Sequence, residues 1–306
     1  MLELLIKWFG GKNNMKSKKL LLSFLVLFLS GCKTSYHPKK LDPNVKYDDV
    51  YLIMGQSNAS GVSLQAYLET KSPEIYGKYI VGNEKVLISY DCDNRIENNF
   101  VPVKFGFGNN EYCFGPEIGI AETLSQKEDA SYIIKATWSG SCLRTEYVNE
   151  NGGKLKYYKR FIPFIKDQLK TLEKEGKHPR LRGMFWMQGE SDSFCDHEER
   201  YRQAEQHFYE YLRHDLNKWI YEYFNFVDAY IYDHGICWVN PEIINAAKQS
   251  FCDENEHCYC IKTNGEDETA ISLFLKCETN ETDDLAHYDS MSMLLLGKTA
   301  GEYLLK

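Results

Sequence analysis

Val50-Tyr51-Leu52-Ile53-Met54-Gly55-Gln56-Ser57-Asn58 sets an apolar run directly before a glycine and three hydrogen-bonding side chains. A short apolar run that ends at Gly reads as a fully buried strand, and the polar cluster then falls at its carboxyl end. In α/β folds that edge of the sheet gathers ligands and reacting groups, and a strand, tight turn and helix in succession expose a serine Oγ there. Ser57 is therefore a candidate nucleophile. Ser and Asn are also preferred N-caps, so Gly55-Gln56-Ser57-Asn58 equally fits a plain helix start. Partners elsewhere in the chain must decide.

A serine nucleophile needs a base, and the base needs an orienting carboxylate. In Asp283-Asp284-Leu285-Ala286-His287-Tyr288-Asp289, Asp284 stands three residues before His287, so one loop can carry both, with Asp283 adjoining. A polar, acidic turn before a last helix would look the same. Trp186-Met187-Gln188-Gly189-Glu190-Ser191-Asp192 closes another apolar run, and there the Gln188 amide can serve a developing oxyanion while Glu190 accepts from neighbouring loops. Trp138-Ser139-Gly140-Ser141 follows Tyr132-Ile133-Ile134, and a glycine at 140 lets a backbone N–H approach a substrate closely.

Taken in order, Gly55-Gln56-Ser57-Asn58, Phe114-Gly115-Pro116-Glu117, the 186–192 stretch and the closing Asp284-x-x-His287 span Asp49 to Lys306. Together they resemble the sialate O-acetylesterase-like carbohydrate esterases, a branch of the SGNH hydrolase superfamily that also includes acetylxylan esterases. The resemblance implies a three-layer α/β/α fold with a central parallel sheet and loop insertions. It implies Ser57 as nucleophile, His287 as general base and Asp284 as its partner. The oxyanion hole would be the N–H groups of Ser57 and Gly140 with the Gln188 side chain, supported by Gln56, Asn58 and Glu190. Members commonly carry a Gly-Gly-Thr-like sequence where this chain has Ser139-Gly140-Ser141. The implied substrate is an acetylated carbohydrate, and no cofactor or metal is expected because a triad needs none.

Lys16-Ser17-Lys18-Lys19, the apolar run Leu20 to Leu29, and Leu29-Ser30-Gly31-Cys32 read as a signal peptide with a bacterial lipoprotein box. Cys32 would become the lipidated first residue, anchoring the protein to a membrane of the bacterial cell envelope. Residues 1–14 look like an upstream extension of a start at Met15, and an uncleaved anchor is the alternative. The apolar run is shorter than the ~20 residues a spanning helix needs. Residues 33–46 read as a polar tether, and 47–306 as one esterase domain.

Ten cysteines suit an exported protein. Cys252, Cys258 and Cys260 with His257 invite a zinc reading, but zinc sites usually use two spaced ligand pairs, and a disulfide-stapled loop explains the group in an oxidising compartment. A net charge of −8, with the longest basic cluster after the signal (Lys154 to Arg160) interrupted by Leu155, Tyr157 and Tyr158, excludes a nucleic-acid profile. The 22 tyrosines suit core packing and equally a surface that stacks on sugar rings.

Apolar runs alternate with amphipathic stretches, the pattern of βαβ units. The spacing predicts strands at Val50–Met54, Tyr132–Ala136, Gly183–Met187 and Val227–Tyr232, and helices at Glu117–Ser125, Tyr158–Lys174, Glu198–Tyr223 and Met291–Leu305. Pro163 suggests that the second helix starts near it. Segments 62–113 and 250–282 read as insertions around the site. Two function classes follow: an exported carbohydrate O-acetylesterase, and a carbohydrate-binding lipoprotein that keeps the fold without the chemistry. Ser57, Asp284 and His287 occurring together favour the enzyme. A lipase or peptidase is disfavoured, since Gly-x-Ser-x-Gly is absent around Ser57.

Overall fold

The computed structural model describes residues 39–194, 197–232, 237–265, 267–274 and 284–306. The leader with Cys32, and Asp283, lie outside the described residues. The main strands are β1 (Asp48–Gly55), β2 (Asn83–Cys92), β3 (Arg95–Val103), β4 (Ser131–Thr137), β5 (Pro179–Met187), β6 (Ile220–Ala229) and β7 (Cys258–Ile261). They form one seven-stranded sheet in the order β3-β2-β4-β1-β5-β6-β7. All neighbours pair in parallel except β3, which runs antiparallel to β2 at one edge. The sheet is thus mixed and mostly parallel.

Side chains alternate across each strand, and both faces are covered. Tyr51, Ile53, Ile133, Phe185 and Met187 share one core with Ile118, Ile120 and Ala121 of helix α1 (Glu117–Leu124), and with Met293, Leu296 and Ala300 of the C-terminal helix (Ser290–Leu304). On the opposite face the Trp186 ring lies 4.6 Å from Phe208 and 5.3 Å from Tyr147, and Phe226 lies 5.4 Å from Tyr209. That face is covered by α2 (Lys156–Lys174), α3 (Glu198–Asp215) and α4 (Pro241–Glu254). With the C-terminal helix numbered α5, the layers are α1/α5, the sheet, and α2/α3/α4.

Several expectations change. Segment 62–113 is not purely an insertion, because it supplies β2 and β3, and segment 250–282 supplies β7. The helix expected to reach Tyr223 ends at Asp215, and β6 begins at Ile220 rather than Val227. Pro163 sits inside α2, exposed, and the Lys159 carbonyl it deprives of a donor belongs to an exposed residue that water can satisfy. Part of the expected tether is seated on the domain: the Glu222 N–H donates to the Lys39 carbonyl at 2.9 Å, and Lys39 Nζ donates to the Lys218 carbonyl at 3.1 Å. The described cysteines, including Cys252, Cys258 and Cys260, are free thiols.

Candidate active site

Three neighbouring strands, β4, β1 and β5, end side by side, and each carries one of the polar motifs just past its carboxyl end. Gly55 closes β1 at φ +142°, where an added Cβ would collide with the Met187 carbonyl of β5. Only glycine lets these two strand ends converge. Ser57 opens a single helical turn, Ser57–Ser60, and is half-buried.

His287 reaches the same edge from the far end of the chain. Its Nδ1 lies 2.6 Å from Asp284 Oδ2, and the other carboxylate oxygen accepts the Ala286 N–H at 2.8 Å, which fixes the loop as an Asx turn. The side chain of Asn58, next to Ser57, holds the backbone on both sides of the histidine. Its Nδ2 donates to the Ala286 carbonyl at 3.2 Å, and its Oδ1 accepts the Tyr288 N–H at 3.3 Å. The same Nδ2 donates to Glu190 Oε1 at 2.8 Å. Burial pushes the Glu190 carboxyl above the usual range, against the opposing effects of that hydrogen bond and of nearby Lys248 and His287. Of the two aspartates that the sequence offers, Asp284 makes this contact with His287, and Asp283 lies outside the described residues.

Gln188 does not occupy the place expected of an oxyanion donor. It is fully buried, and its Nε2 lies 2.7 Å from Asp192 Oδ2, 3.0 Å from the Ser141 carbonyl and 3.2 Å from Gln56 Oε1, while its Oε1 accepts from Tyr201 at 2.9 Å. Two amide protons facing three protein acceptors leave nothing for a substrate. Gln188 instead braces the strand ends from behind. Gln56 shares that task, its Oε1 accepting the Ser191 N–H at 3.1 Å. Asp192 takes the Leu143 N–H at 2.6 Å and is raised by burial against the Gln188 amide.

Gly140 stands in the turn after β4 at φ +67°, exposed, with open space where a side chain would be. Among the described residues its N–H has no protein partner. Its neighbours are tied: the Trp138 N–H donates to the Gly55 carbonyl at 3.1 Å, the Ser139 N–H to Asp93 Oδ1 at 2.6 Å, and Ser141 Oγ to the Trp138 carbonyl at 2.6 Å.

Residues 47–306 match the family model described as carbohydrate esterase, sialic acid-specific acetylesterase. The chain belongs to this family. No curated protein matches it by sequence. Solved structures with the same fold include a protein from Arabidopsis thaliana (15% identity over 85% of this chain and 98% of that one, TM-score 0.59). NanS aligns at 15% identity over 85% of this chain and 97% of its own, with a TM-score of 0.57. A carbohydrate acetylesterase from Xanthomonas citri aligns at 12% identity over 83% of this chain and 54% of its own, with a TM-score of 0.52.

One buried element of this esterase had no place in the sequence expectations. Lys135 of β4 is fully buried, and its Nζ lies 2.8 Å from Glu117 Oε2, 2.7 Å from the Ser60 carbonyl and 2.9 Å from the Phe107 carbonyl. Glu117 also accepts the Gly115 N–H at 2.8 Å. The Phe-Gly-Pro-Glu block is thus joined through an ammonium group to the end of the turn that begins at Ser57. A lysine inside an otherwise apolar strand was the available signal, because a buried charge demands partners.

Proposed function

We propose that this carbohydrate esterase removes acetyl groups from O-acetylated sugars through a Ser57-His287-Asp284 triad and an acetyl-enzyme. His287 Nε2 takes the Ser57 proton as Oγ attacks the ester carbonyl, and the N–H groups of Ser57 and Gly140 stabilise the oxyanion. Collapse breaks the bond to the sugar oxygen, which receives the proton from His287 and leaves as the free hydroxyl. Water, deprotonated by the same histidine, then attacks the acetyl-enzyme and releases acetate. Asp284 holds the Nδ1–H and favours the imidazolium that forms.

The observation that carries this reading is the Asn58 bridge. The residue after the serine hydrogen-bonds to both residues flanking the histidine, whose Nδ1 is engaged by Asp284 and whose Nε2 is thereby left as the base. Labelling with a fluorophosphonate is expected to place one adduct on Ser57, and acetate release from a panel of acetylated sugars would identify the substrate. A folded Ser57→Ala variant that hydrolysed p-nitrophenyl acetate as fast as the parent would overturn the assignment. Absence of any adduct would favour the non-catalytic sugar-binding alternative.

The cell-envelope location is part of the same proposal: export by the leader, lipidation at Cys32, and membrane attachment through a short segment ahead of a domain at 47–306. Its support is the Leu29-Ser30-Gly31-Cys32 box together with a family match that begins at residue 47. Metabolic labelling with a palmitate analogue should mark the parent and spare a Cys32→Ser variant.

A further inference from the structure

The hairpin joining β2 to β3 has only two loop residues, Asp93 and Asn94, because Cys92 pairs with Arg95. Asp93 has φ +54°, one of three described non-glycine residues with positive φ, and Asn94 is not among them. In a two-residue hairpin, a left-handed first position alone is one that glycine normally fills, since a side chain there is strained. Strain of this kind persists where surrounding structure over-determines it, and it gathers at functional sites.

The aspartate's partners point to the site. Oδ1 accepts the Ser139 N–H at 2.6 Å and Oδ2 accepts Ser139 Oγ at 3.0 Å. Asp93 is itself held, since its N–H donates to the Thr137 carbonyl at 3.1 Å and its carbonyl accepts Arg160 Nη2 at 3.4 Å. Arg160 in turn binds Asp91 with two hydrogen bonds at 2.9 and 2.7 Å, and its guanidinium lies 4.8 Å from the Trp138 ring centroid. The turn Trp138–Ser141 is therefore anchored by the Gly55 carbonyl at its start, by Asp93 at Ser139 and by Gln188 at Ser141. Among the described residues the Gly140 N–H has no protein partner, and Gly140 is the exposed residue of the turn.

We propose that Asp93 is a positioning residue for the ester hydrolysis: by gripping the N–H and the hydroxyl of Ser139 it fixes the residue that leads into the Gly140 peptide, aiming the Gly140 N–H at the oxyanion. The inference rests on the esterase reading above, in which Gly140 serves the oxyanion.

Asp93→Gly tests it directly, because glycine accepts the left-handed backbone while removing the grip. Loss of an oxyanion donor typically lowers turnover by about 100-fold or more, so a loosened one is expected to lower kcat by about 10- to 100-fold. KM for p-nitrophenyl acetate should stay within about twofold, because the donor acts in the transition state. The melting temperature should be unchanged or raised, since relief of strain offsets the lost hydrogen bonds. Asp93→Asn tolerates the same backbone and keeps an acceptor for the Ser139 N–H, so it should recover most of the lost kcat. A folded Asp93→Gly enzyme with parental kcat would overturn the proposal. So would a variant that melts far below the parent, because the aspartate would then be a structural clamp alone. Ser57→Ala separates the two levels: full activity there sinks the esterase reading, whereas an inactive Ser57→Ala beside a fully active Asp93→Gly sinks this inference only.

Discussion

Asn58→Ala should damage stability and turnover together, because one small amide links the two halves of the candidate machinery. The side chain is only 2% exposed, and it makes a 2.8 Å bond to the Glu190 carboxyl and bonds of 3.2 and 3.3 Å to the backbone on either side of His287. A hydrogen bond to a charged group contributes about 1.5–3 kcal/mol and a neutral one about 0.5–1.5 kcal/mol. The long neutral pair belongs at the low end, and the raised pKa of Glu190 argues the same for its bond, so the three together come to about 3 kcal/mol. For a domain of this size that is a fall in melting temperature of about 10 °C. Release of the Ala286–Tyr288 backbone also frees the base to drift. A displacement of about 1 Å costs on the order of 100-fold in rate. Thermal unfolding followed by circular dichroism reads the first quantity, and p-nitrophenyl acetate hydrolysis well below the melting point reads the second. Asn58→Asp sharpens the test by facing a carboxylate toward Glu190, and its loss should deepen as pH rises and the two acids compete to ionise. If Asn58→Ala melted within about 2 °C of the parent and kept its kcat, the bridge would not be what places His287.

Glu190→Gln should flatten the pH dependence of stability. Burial raises the folded-state pKa of Glu190, so its contribution is fully present below the ordinary value of about 4.3 and is lost as pH rises through the folded value. Urea unfolding at pH 5 and pH 8 should show a smaller loss across that interval for the variant than for the parent, and equal losses would refute the assignment. Lys135→Met leaves Glu117 buried without its ammonium partner and should cost about 3–5 kcal/mol in urea unfolding, while Lys135→Met with Glu117→Leu should recover a large part of it. Gln188→Ala should lower stability and kcat together, as expected of an internal brace; a fall in kcat at unchanged stability would instead restore Gln188 as a direct oxyanion donor.

The strands that carry the site were legible because their signal is local. β1, β4 and β5 are buried on both faces and show as apolar runs, and the motifs after them stand at the expected edge of the sheet. β2 and β3 were read as insertion because Asn83-Glu84-Lys85 opens one strand and Arg95-Ile96-Glu97-Asn98-Asn99 the other, an alternation suited to a partly solvated edge. The end of α3 was overrun because Asn217 to Tyr223 continues a charged and aromatic composition without Gly or Pro, and tertiary pairing with β5 makes the later part of it a strand. The contact between Asp284 and His287 was legible from residue type and spacing. The brace of Gln188, the Lys135 hub and the grip of Asp93 depend on contacts between distant segments, which no local pattern encodes.

Asn58 holds the backbone on both sides of His287, and Ser63 Oγ donates to the Tyr288 carbonyl at 2.8 Å, so side chains from the stretch that begins at Ser57 fasten the His287 loop in place. Two segments more than two hundred residues apart in sequence are thereby held in register at one edge of the sheet, so a change in the turn after β1 is felt in the stretch before the last helix, and the reverse.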